Sequence, residues 1–362
     1  HNAPATAAAI NGSSGTGKTL VAIERAKRLS ARNEKVLFLC YNKNLCLWLK
    51  DTFEKSLQNV DFFTLDSFCM KLIGAKDIRS LSYYDSAYAL IDKMSKNEFE
   101  YKHIIVDEGQ DFGIDRIQDY QIDSNFNGEN TQTNLLELFA EYGSGKYGHS
   151  DTSFFIFYDK YQLVNSDKLP KYLNEVDSKL TLYKNCRNTK NIANTAFSVI
   201  NVDPIMFPNA WDGDQTKFIF YSDHQNFISL LNSVLKDCNR DTKIITCQKS
   251  IEASEINEHI VCRGNNGNPI YKFDDLKFNV YTPATCKGLE ADSVVLLDVD
   301  SKNFNENNKA FYVGASRAKR KLFVFINKNS VHDILNTKFF EESFPQNNKE
   351  LQIANELHGI LR

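Results

Sequence analysis

The chain has 362 residues with 43 Lys and Arg against 46 Asp and Glu, and the formal net charge of −3 excludes a generally basic surface, so any contact with nucleic acid needs a local groove. Its eight cysteines contain no C-x-x-C pair and no apolar run reaches the ~18 residues of a membrane span, so we expect no zinc site, no membrane partner and a reducing, cytoplasmic location. The length predicts two or three domains of about 150 residues each, and the start at His1 leads us to interpret the sequence as a piece of a longer protein.

The first element along the chain is the stretch NGSSGTGKTL at 11–20, which fits the pattern G-x-x-x-x-G-K-[ST]. Glycines allow the backbone to point N–H groups at an anion, while Lys18 reaches the outer phosphates and the Thr19 hydroxyl can ligate Mg²⁺. The following segment, LVAIERAKRLSAR, has apolar residues at helical spacing, so the positive end of a helix faces the phosphates. This context predicts a nucleoside triphosphate site formed by Gly12, Ser13, Gly15, Thr16, Gly17, Lys18 and Thr19.

Seven short apolar runs follow, rich in β-branched and aromatic residues and apolar on both faces. That pattern is typical of parallel strands covered by helices, so the sequence predicts an α/β fold with the nucleotide at the carboxyl ends of the first strands. Polar, Gly- and Asn-rich composition predicts a surface excursion around one helix over 121–151 and a loop over 262–269. The predicted strands lie in the runs 35–40, 103–108, 154–159, 217–222, 243–248, 294–299 and 321–326.

The second of these runs, HIIVDEGQD at 103–111, ends in two carboxylates where a phosphate-loop enzyme needs them. Asp107 is predicted to hold Mg²⁺ through water, and Glu108 to polarise the attacking water. An Asp-Glu pair after an apolar strand also occurs by chance, but its place beside a phosphate loop favours the catalytic interpretation.

This element, Asp107 to Asp111, matches D-E-x-Q-D and resembles the second motif of UvrD/Rep-like superfamily 1 helicases. Four further elements resemble motifs of that family in the same order: FYDKYQ at 157–162, LYKNCRNT at 182–189, TCKGLEADSVVLLDV at 285–299 and FYVGASRAKRKLFVF at 311–325. The resemblance implies that Gln162 senses the γ-phosphate and that Arg187 and Arg317 are arginine fingers. It also implies that Gly288 and Glu290 bind the nucleotide, with Glu290 near its sugar.

The chemistry of phosphoryl transfer supports a role for both arginines, because planar guanidinium groups from a second lobe stabilise the charge on the transferring phosphoryl group. Such contacts would also couple hydrolysis to lobe closure. Plainer alternatives remain at this stage. Arg187 could cap a helix or lie in solvent, Arg317 could belong to a solvated face, and Glu290 could form a structural salt bridge.

The resemblance also implies contacts with a single strand of nucleic acid, DNA in the first instance with RNA left open. YNKN at 41–44 is similar to the family's first strand-contacting motif, FFTLDSF at 62–68 to its T-x-x-S-F neighbour, and the K-G-L-E element begins with a threonine. Phe68 has a core position as its alternative. The candidates are Asn42, Lys43, Thr64, Ser67, Phe68 and Thr285.

The intervals between motifs are too short for the accessory domains of larger relatives, so two RecA-like lobes with parallel sheets are expected, with those insertions reduced or absent. This spacing resembles the compact helicase module found behind nuclease-related domains. Three elements of larger relatives are missing: the glutamine-bearing adenine motif before the loop, the adenine-stacking tyrosine at Cys186, and the DNA-stacking tryptophan after DKYQ. The base selectivity for ATP and unaided unwinding of a duplex therefore stay open.

The sequence as a whole predicts an ATP hydrolase with lobes at 1–175 and 176–362, working as a motor on single-stranded nucleic acid with ATP held at the inter-lobe cleft. A second function stays open, a nucleotide-dependent switch that controls a partner or linked nuclease. Stimulation of ATP hydrolysis by a single-stranded oligonucleotide distinguishes the motor from the switch.

Overall fold

The computed structural model describes residues 6–112, 131–148, 151–162, 173, 176–264, 266–305, 309–341, 343 and 346–362. Contacts divide the chain into two units. The first contains the residues up to Ser13 together with Gly17–Leu182, and the second contains Ser14–Thr16 together with Tyr183–Arg362.

The first unit contains a six-stranded sheet in which every pairing is parallel, with the strand order β3-β2-β4-β5-β1-β6. Its strands are β1 (Ala7–Gly12), β2 (Val36–Cys40), β3 (Val60–Thr64), β4 (His103–Asp107), β5 (Ser153–Tyr158) and β6 (Ser178–Leu182). Its helices are α1 (Lys18–Ser30), α2 (Lys43–Phe53), α3 (Leu65–Ile73), α4 (Tyr83–Ser95) and α5 (Thr131–Gly143).

The continuous apolar character of the central strands follows from burial on both faces of this sheet. Along β2, Leu37 and Leu39 pack in one core with α3, α4 and α5, while Phe38 and Cys40 pack in the other with α1 and α2. Because successive side chains point to opposite faces, a strand between two helical layers must be apolar at every position.

The strand β1 lies between β5 and β6, although its sequence AAAING has little strand character. Alanine has a low strand propensity, so the register with β5, in which Ala8 pairs with Phe155 and Ile10 with Phe157, is set by tertiary packing. The predicted strands did not include one before the phosphate loop, and the structure places a strand there that pairs on both sides.

The second unit contains an eight-stranded sheet with the order β14-β7-β13-β12-β8-β11-β10-β9. Its strands are β7 (Thr216–Tyr221), β8 (Thr242–Thr246), β9 (Ile260–Arg263), β10 (Pro269–Phe273), β11 (Leu276–Tyr281), β12 (Ala291–Val299), β13 (Ala318–Asn327) and β14 (Gly359–Leu361). Its helices are α6 (Lys190–Ser198), α7 (His224–Lys236), α8 (Pro283–Cys286), α9 (Ala310–Ala315), α10 (Val331–Leu335) and α11 (Lys349–Glu356).

The α/β prediction is confirmed, and all seven predicted runs form strands. The expectation of parallel sheets needs a correction in the second unit, where β9, β10 and β11 pair antiparallel. The reason is local: only Asp274 and Asp275 separate β10 from β11, and the positive φ of Asp274 (51°) closes a hairpin too short for a parallel crossover.

The predicted loop over 262–269 is shorter in the structure, because its first two residues belong to β9 and Pro269 begins β10. Of the excursion predicted over 121–151, residues 121–130 and 149–150 lie outside the described residues, and the predicted helix lies within α5. Within the described part of the chain, no helix has both the length and the apolar character needed to cross a membrane.

Candidate active site

The phosphate loop connects the end of β1 at Gly12 to the start of α1 at Lys18. Gly15 (φ 81°) and Gly17 (φ 85°) adopt left-handed backbone angles, which explains why glycine is needed at both positions. The buried Lys18 ammonium donates to the carbonyl oxygens of Gly12 (2.8 Å) and Ser13 (3.2 Å). The loop therefore holds a cation at the amino-terminal end of α1, the arrangement that phosphate binding requires.

The carboxylate of Asp107, at the end of β4, lies beside this loop. The Thr19 hydroxyl donates to Asp107 Oδ2 over 2.6 Å. Burial, and then the negative charge of Glu108, raise the pKa of Asp107 to about 7. A hydroxyl and a carboxylate are the hard oxygen donors that Mg²⁺ prefers, so the two side chains fit the predicted metal role, with water completing the shell. Among the described residues, no group of three or more His, Cys, Asp and Glu is placed to hold a metal ion.

Glu108 follows Asp107 with left-handed backbone angles (φ 57°, ψ 41°) and is buried. Such angles are uncommon outside glycine and persist where the surroundings fix them. Here Gln110 fixes the side chain, because its Nε2 donates to Glu108 Oε2 (2.6 Å) and to Asp111 Oδ2 (3.2 Å). The predicted base is thus a buried carboxylate with a defined orientation.

The segment that follows β5, which contains Asp159 and Gln162, joins the same hydrogen-bond network. Gln110 Oε1 accepts from the backbone N–H of Asp159 (3.0 Å), and Gln162 Nε2 donates to Asp159 Oδ2 (2.8 Å). Asp159 Oδ2 also lies 3.7 Å from Lys18 Nζ, with both side chains buried. The carboxyl ends of β1, β4 and β5 therefore bring together Lys18, Thr19, Asp107, Glu108 and Gln162, and their roles toward a nucleotide stay predictions.

Gln110 is the residue whose role in this site the sequence did not reveal. It connects Glu108 to the element after β5, although the sequence shows it only as one letter of the D-E-x-Q-D pattern. Two of the predicted loop residues, Gly15 and Thr16, lie in the short segment Ser14–Thr16, which belongs to the second unit.

In the second unit, Arg187 Nε donates to Glu290 Oε2 over 2.9 Å. The side chains are 17% and 47% exposed, so Arg187 is largely buried and Glu290 is half exposed. The salt bridge considered for Glu290 is therefore present, and its role near the sugar stays a prediction. Thr189, not Arg187, is the cap residue of α6, which excludes the capping alternative for Arg187. Gly288, close before Glu290, has a left-handed φ of 74°.

Arg317 is buried at 1% exposure, and its Nε donates to the carbonyl oxygen of Val313 over 3.0 Å. This excludes the solvated face that was its plainer alternative. Asn188 connects the two arginine elements, because its Nδ2 donates to the carbonyl oxygens of Ser316 (3.0 Å) and Ala318 (2.5 Å). The second unit thus places Arg187 and Arg317 on elements that one buried amide holds together, a link that the sequence did not reveal.

Four of the six residues predicted to contact nucleic acid take part in helix caps in the structure. Asn42 Oδ1 accepts from the N–H groups of Asn44 (2.7 Å) and Leu45 (3.3 Å) at the start of α2. Thr64 and Ser67 form a capping box at the start of α3, in which each side chain bonds to the backbone N–H of the other residue. Thr282 and Thr285 form a second capping box at the start of α8. Capping alone accounts for these residue types, so their contact with nucleic acid stays a prediction. Lys43, beside Asn42, is exposed.

Phe68 requires a correction. It is 3% exposed in α3, and its ring makes edge contacts with Phe63, Phe99, Tyr101 and Phe139. A ring enclosed by four others has no face on which a base could stack. The aromatic residue of FFTLDSF is therefore a core residue, because α3 packs this face against α4, α5 and the sheet.

Comparison with known proteins gives one family match: residues 3–146 are similar to the family described as the res subunit of type III restriction enzymes. None of the curated proteins matches the sequence. This match lies over the unit that carries the phosphate loop and the Asp107–Glu108 pair.

Three solved helicase structures show a weak similarity. The chain is 13% identical to the arterivirus nonstructural protein 10 helicase and to the PRRSV helicase, each with a TM-score of 0.43 over 89% of this chain, and 12% identical to arterivirus nonstructural protein 10 in complex with DNA, with a TM-score of 0.42 over 92% of this chain. The matches span 60%, 52% and 64% of those longer proteins, respectively. Similarity at this level does not transfer a function, which has to be argued from the site.

Proposed function

We propose that this chain is the ATP-hydrolysing motor of a helicase or translocase that acts on single-stranded nucleic acid, DNA in the first instance. The observation that carries the proposal is the network in which Lys18, Thr19, Asp107, Glu108 and Gln162 converge at the ends of three adjacent strands. The family match over residues 3–146 and the order of the motifs support it. The motif order further favours the UvrD/Rep-like branch of superfamily 1.

The chemistry follows from the positions of these side chains. The loop N–H groups and Lys18 bind the phosphates, and Thr19 and Asp107 would hold Mg²⁺, which would supply positive charge to the phosphates. Glu108, oriented by Gln110, accepts a proton from the attacking water. Gln162 positions that water or the γ-phosphate through its bond to Asp159.

The second unit supplies the remaining charge in this proposal. Arg187 and Arg317 bind the γ-phosphate oxygens, where planar guanidinium donors stabilise the charge that develops during transfer. Binding and loss of that phosphate then change the contacts of both arginines, which couples the nucleotide state to movement along a strand.

Helix N-termini provide the proposed contacts with the strand. The cap residue Asn42 follows β2 and the cap residue Thr64 ends β3, and backbone N–H groups at such positions commonly bind nucleic-acid phosphates. Exposed Lys43 adds a positive charge beside Asn42. These contacts involve the backbone of a strand and predict little sequence preference.

The test is steady-state ATP hydrolysis with and without a single-stranded oligonucleotide, using DNA and RNA of one sequence. We expect hydrolysis that the oligonucleotide stimulates, and loss of both basal and stimulated activity in Lys18→Ala. Lys27→Ala is the matched control, since Lys27 is an exposed lysine of the same helix. Hydrolysis that ignores both oligonucleotides would favour the switch over the motor, and an unchanged rate in Lys18→Ala would contradict the assigned site.

A further inference from the structure

Two histidine side chains meet in the second unit, near the carboxyl end of β7. His224 is the first residue of α7, and His259 ends the short 3₁₀ helix Asn257–His259 before β9. Their Nε2 atoms lie 2.9 Å apart, although 35 residues separate the two positions along the chain. One of these nitrogens carries a hydrogen and the other a lone pair, because an N–H···N bond needs one of each.

A carboxylate lies behind one of the two rings. Glu255 Oε2 is 3.3 Å from the Nδ1 atom of His224. The proton of His224 is therefore assigned to Nδ1, where it donates to this carboxylate, and the lone pair of Nε2 points at His259. Metal-binding histidines commonly have such a partner on the second ring nitrogen, because it fixes the ring and strengthens the other nitrogen as a ligand.

The segment that carries Glu255 is fixed by the buried carboxylate of Asp298. The N–H of Glu255 donates to Asp298 Oδ1 over 3.1 Å, and the hydroxyl of Ser254 donates to Asp298 Oδ2. The next residue, Ile256, is fully buried in the core that also contains Phe227 of α7. Both histidines are thus carried by elements that pack on one core, so their nitrogens are brought together before any ion binds.

The distance between the two Nε2 atoms suits the binding of one metal ion. Metal–nitrogen bonds to imidazole are about 2.0–2.1 Å long, so two such ligands lie about 2.9 Å apart at a 90° angle and about 3.3 Å apart in a tetrahedron. His224 is 40% exposed, which leaves its ring room to turn within this range. When the ion replaces the hydrogen bond, the proton of His259 moves from Nε2 to Nδ1, and no proton is lost.

We propose that His224 and His259 are the two protein ligands of a divalent transition-metal ion of the zinc, nickel and copper class, which imidazole binds well. Glu255 is a positioning residue that holds His224 through Nδ1. Two protein ligands leave the other coordination positions to water, and among the described residues no third His, Cys, Asp or Glu completes the set. The cysteine spacing behind the expectation of no zinc site carries no information on histidines that only the fold brings together.

The ion connects the start of α7 to the segment before β9 and so stabilises this part of the second unit. Arg317 precedes β13, which pairs in parallel with β7, so the histidines lie at the opposite edge of the sheet from this proposed catalytic arginine. The inference therefore goes beyond the proposed function and does not rest on it.

A titration with Zn²⁺ tests the site directly, with excess Mg²⁺ present to occupy the proposed magnesium site at Asp107. The wild-type chain should bind one Zn²⁺ that His224→Ala and His259→Ala bind more than about a hundred-fold more weakly, because changes behind the ligands alone cost about 10–100-fold. His332→Ala, at an exposed histidine of α10, is the matched control and should bind normally. No binding by the wild-type chain, or equal binding in both variants, for instance at the exposed Cys262, overturns the proposal.

The affinity for Zn²⁺ also tests the role of Glu255. Glu255→Ala should weaken binding about 10–100-fold, and Glu255→Gln, whose amide oxygen can still accept from Nδ1 of His224, should restore most of it. Glu258→Ala removes an exposed carboxylate of the same 3₁₀ helix as His259 and is the control for loss of charge. Equal weakening in Glu255→Ala and Glu258→Ala would mean that only the net charge matters, which contradicts a positioning role for Glu255.

Amide hydrogen exchange shows where the ion binds. Zn²⁺ should slow exchange at the start of α7 and over 254–259 and leave α10 unchanged, because the ion joins only the first two segments. The same protection is expected in Lys18→Ala, which should lack hydrolysis, so the metal site and the proposed function can fail separately. Protection that persists in His259→Ala, or that is absent from the wild-type chain, would overturn the proposal.

Discussion

The two units hold their candidate catalytic residues in different ways. In the first, the side chains bond directly to one another in a buried network that runs from Thr19 to Asp107 and from Glu108 through Gln110 to the element after β5. In the second, Arg187 bonds to a half-exposed acid, and Arg317 bonds to a backbone carbonyl. The side-chain network of the first unit suits catalytic groups that must be fixed before the reaction. The arginine contacts of the second unit suit groups that exchange one partner for another.

The energetics point the same way. A salt bridge with a half-exposed partner contributes about 0–1 kcal/mol, so Arg187 can replace Glu290 with a phosphate at small cost. Removing one member of a buried polar network leaves other buried groups without partners, which costs more. Variants of the first unit should therefore lose the chemical step, and variants around Arg187 should show graded effects.

The largest effect is expected in Glu108→Gln. The amide keeps the shape and the bond to Gln110 but cannot accept the proton of the attacking water, so kcat should fall about 10²–10⁴-fold with nucleotide binding preserved. Single-turnover hydrolysis and a nucleotide-binding titration measure the two effects. Glu98→Gln, at an exposed position, is the control. A Glu108→Gln protein that turns over ATP normally would overturn the assigned base.

Arg187→Ala should lower kcat about a hundred-fold, as expected for one donor to a developing charge. Glu290→Gln removes only the charge of the partner of Arg187 and should change kcat by at most about five-fold, the equivalent of ~1 kcal/mol. Steady-state kinetics at saturating ATP compare the two. An equal decrease of kcat in both variants would mean that Arg187 depends on its bond to Glu290. The two units would then not differ in how they hold their catalytic side chains.

The two units also differ in what the sequence predicted. Motifs at strand ends identified Lys18, Asp107 and Glu108, because parallel strands bring their carboxyl ends to one edge. The link that Asn188 makes to Ser316 and Ala318 could not be predicted, since it joins elements far apart in sequence through backbone oxygens that any residue carries.

The same limit applies to parts of the fold. The strand β1 was missed because alanine carries no strand signal, and its pairing with β5 is decided by tertiary packing. Phe68 shows the opposite error. Its place in a motif predicted a contact with nucleic acid, but its side chain belongs to a core formed with residues of α4 and α5, which the local sequence does not reveal.

A smaller expected effect distinguishes two roles of Thr64, helix capping and binding of single-stranded nucleic acid. Thr64→Ala removes one half of the α3 capping box and should cost about 1 kcal/mol of stability. Ser82→Ala, which removes a hydroxyl cap from α4, should cost a similar amount. Thr64→Ala alone should raise the oligonucleotide concentration needed for half-maximal stimulation of hydrolysis. If both variants respond to the oligonucleotide alike, Thr64 is a cap and nothing more.

The smallest effect is a pH dependence of stability confined to the first unit. His103, at the amino end of β4, is buried, with Nδ1 2.7 Å from Ser153 Oγ and Nε2 3.2 Å from Glu34 Oε2. Burial lowers the pKa of His103 below its unfolded value of about 6.5. As the pH falls below that value, the unfolded chain takes up the proton of His103 first, so the contribution of His103 to the free energy of unfolding should decrease. The raised pKa of Asp107 acts in the opposite sense over the same range, because there the folded chain takes up the proton first.

Denaturant unfolding at several pH values measures this effect, with Trp48 as sole reporter of the first unit in Trp211→Phe and Trp211 as sole reporter of the second in Trp48→Phe. Between pH 7 and pH 5, the free energy of unfolding reported by Trp48 should become more favourable to the folded state in His103→Gln relative to the protein with His103, because the variant lacks the histidine's proton uptake on unfolding. His332→Gln, at an exposed histidine of α10, should leave it unchanged. Because His103 lies at the end of β4 opposite to Asp107, kcat should stay the same in His103→Gln. An acid-sensitive Trp48 transition that persists in His103→Gln would assign the proton uptake to another group of the first unit.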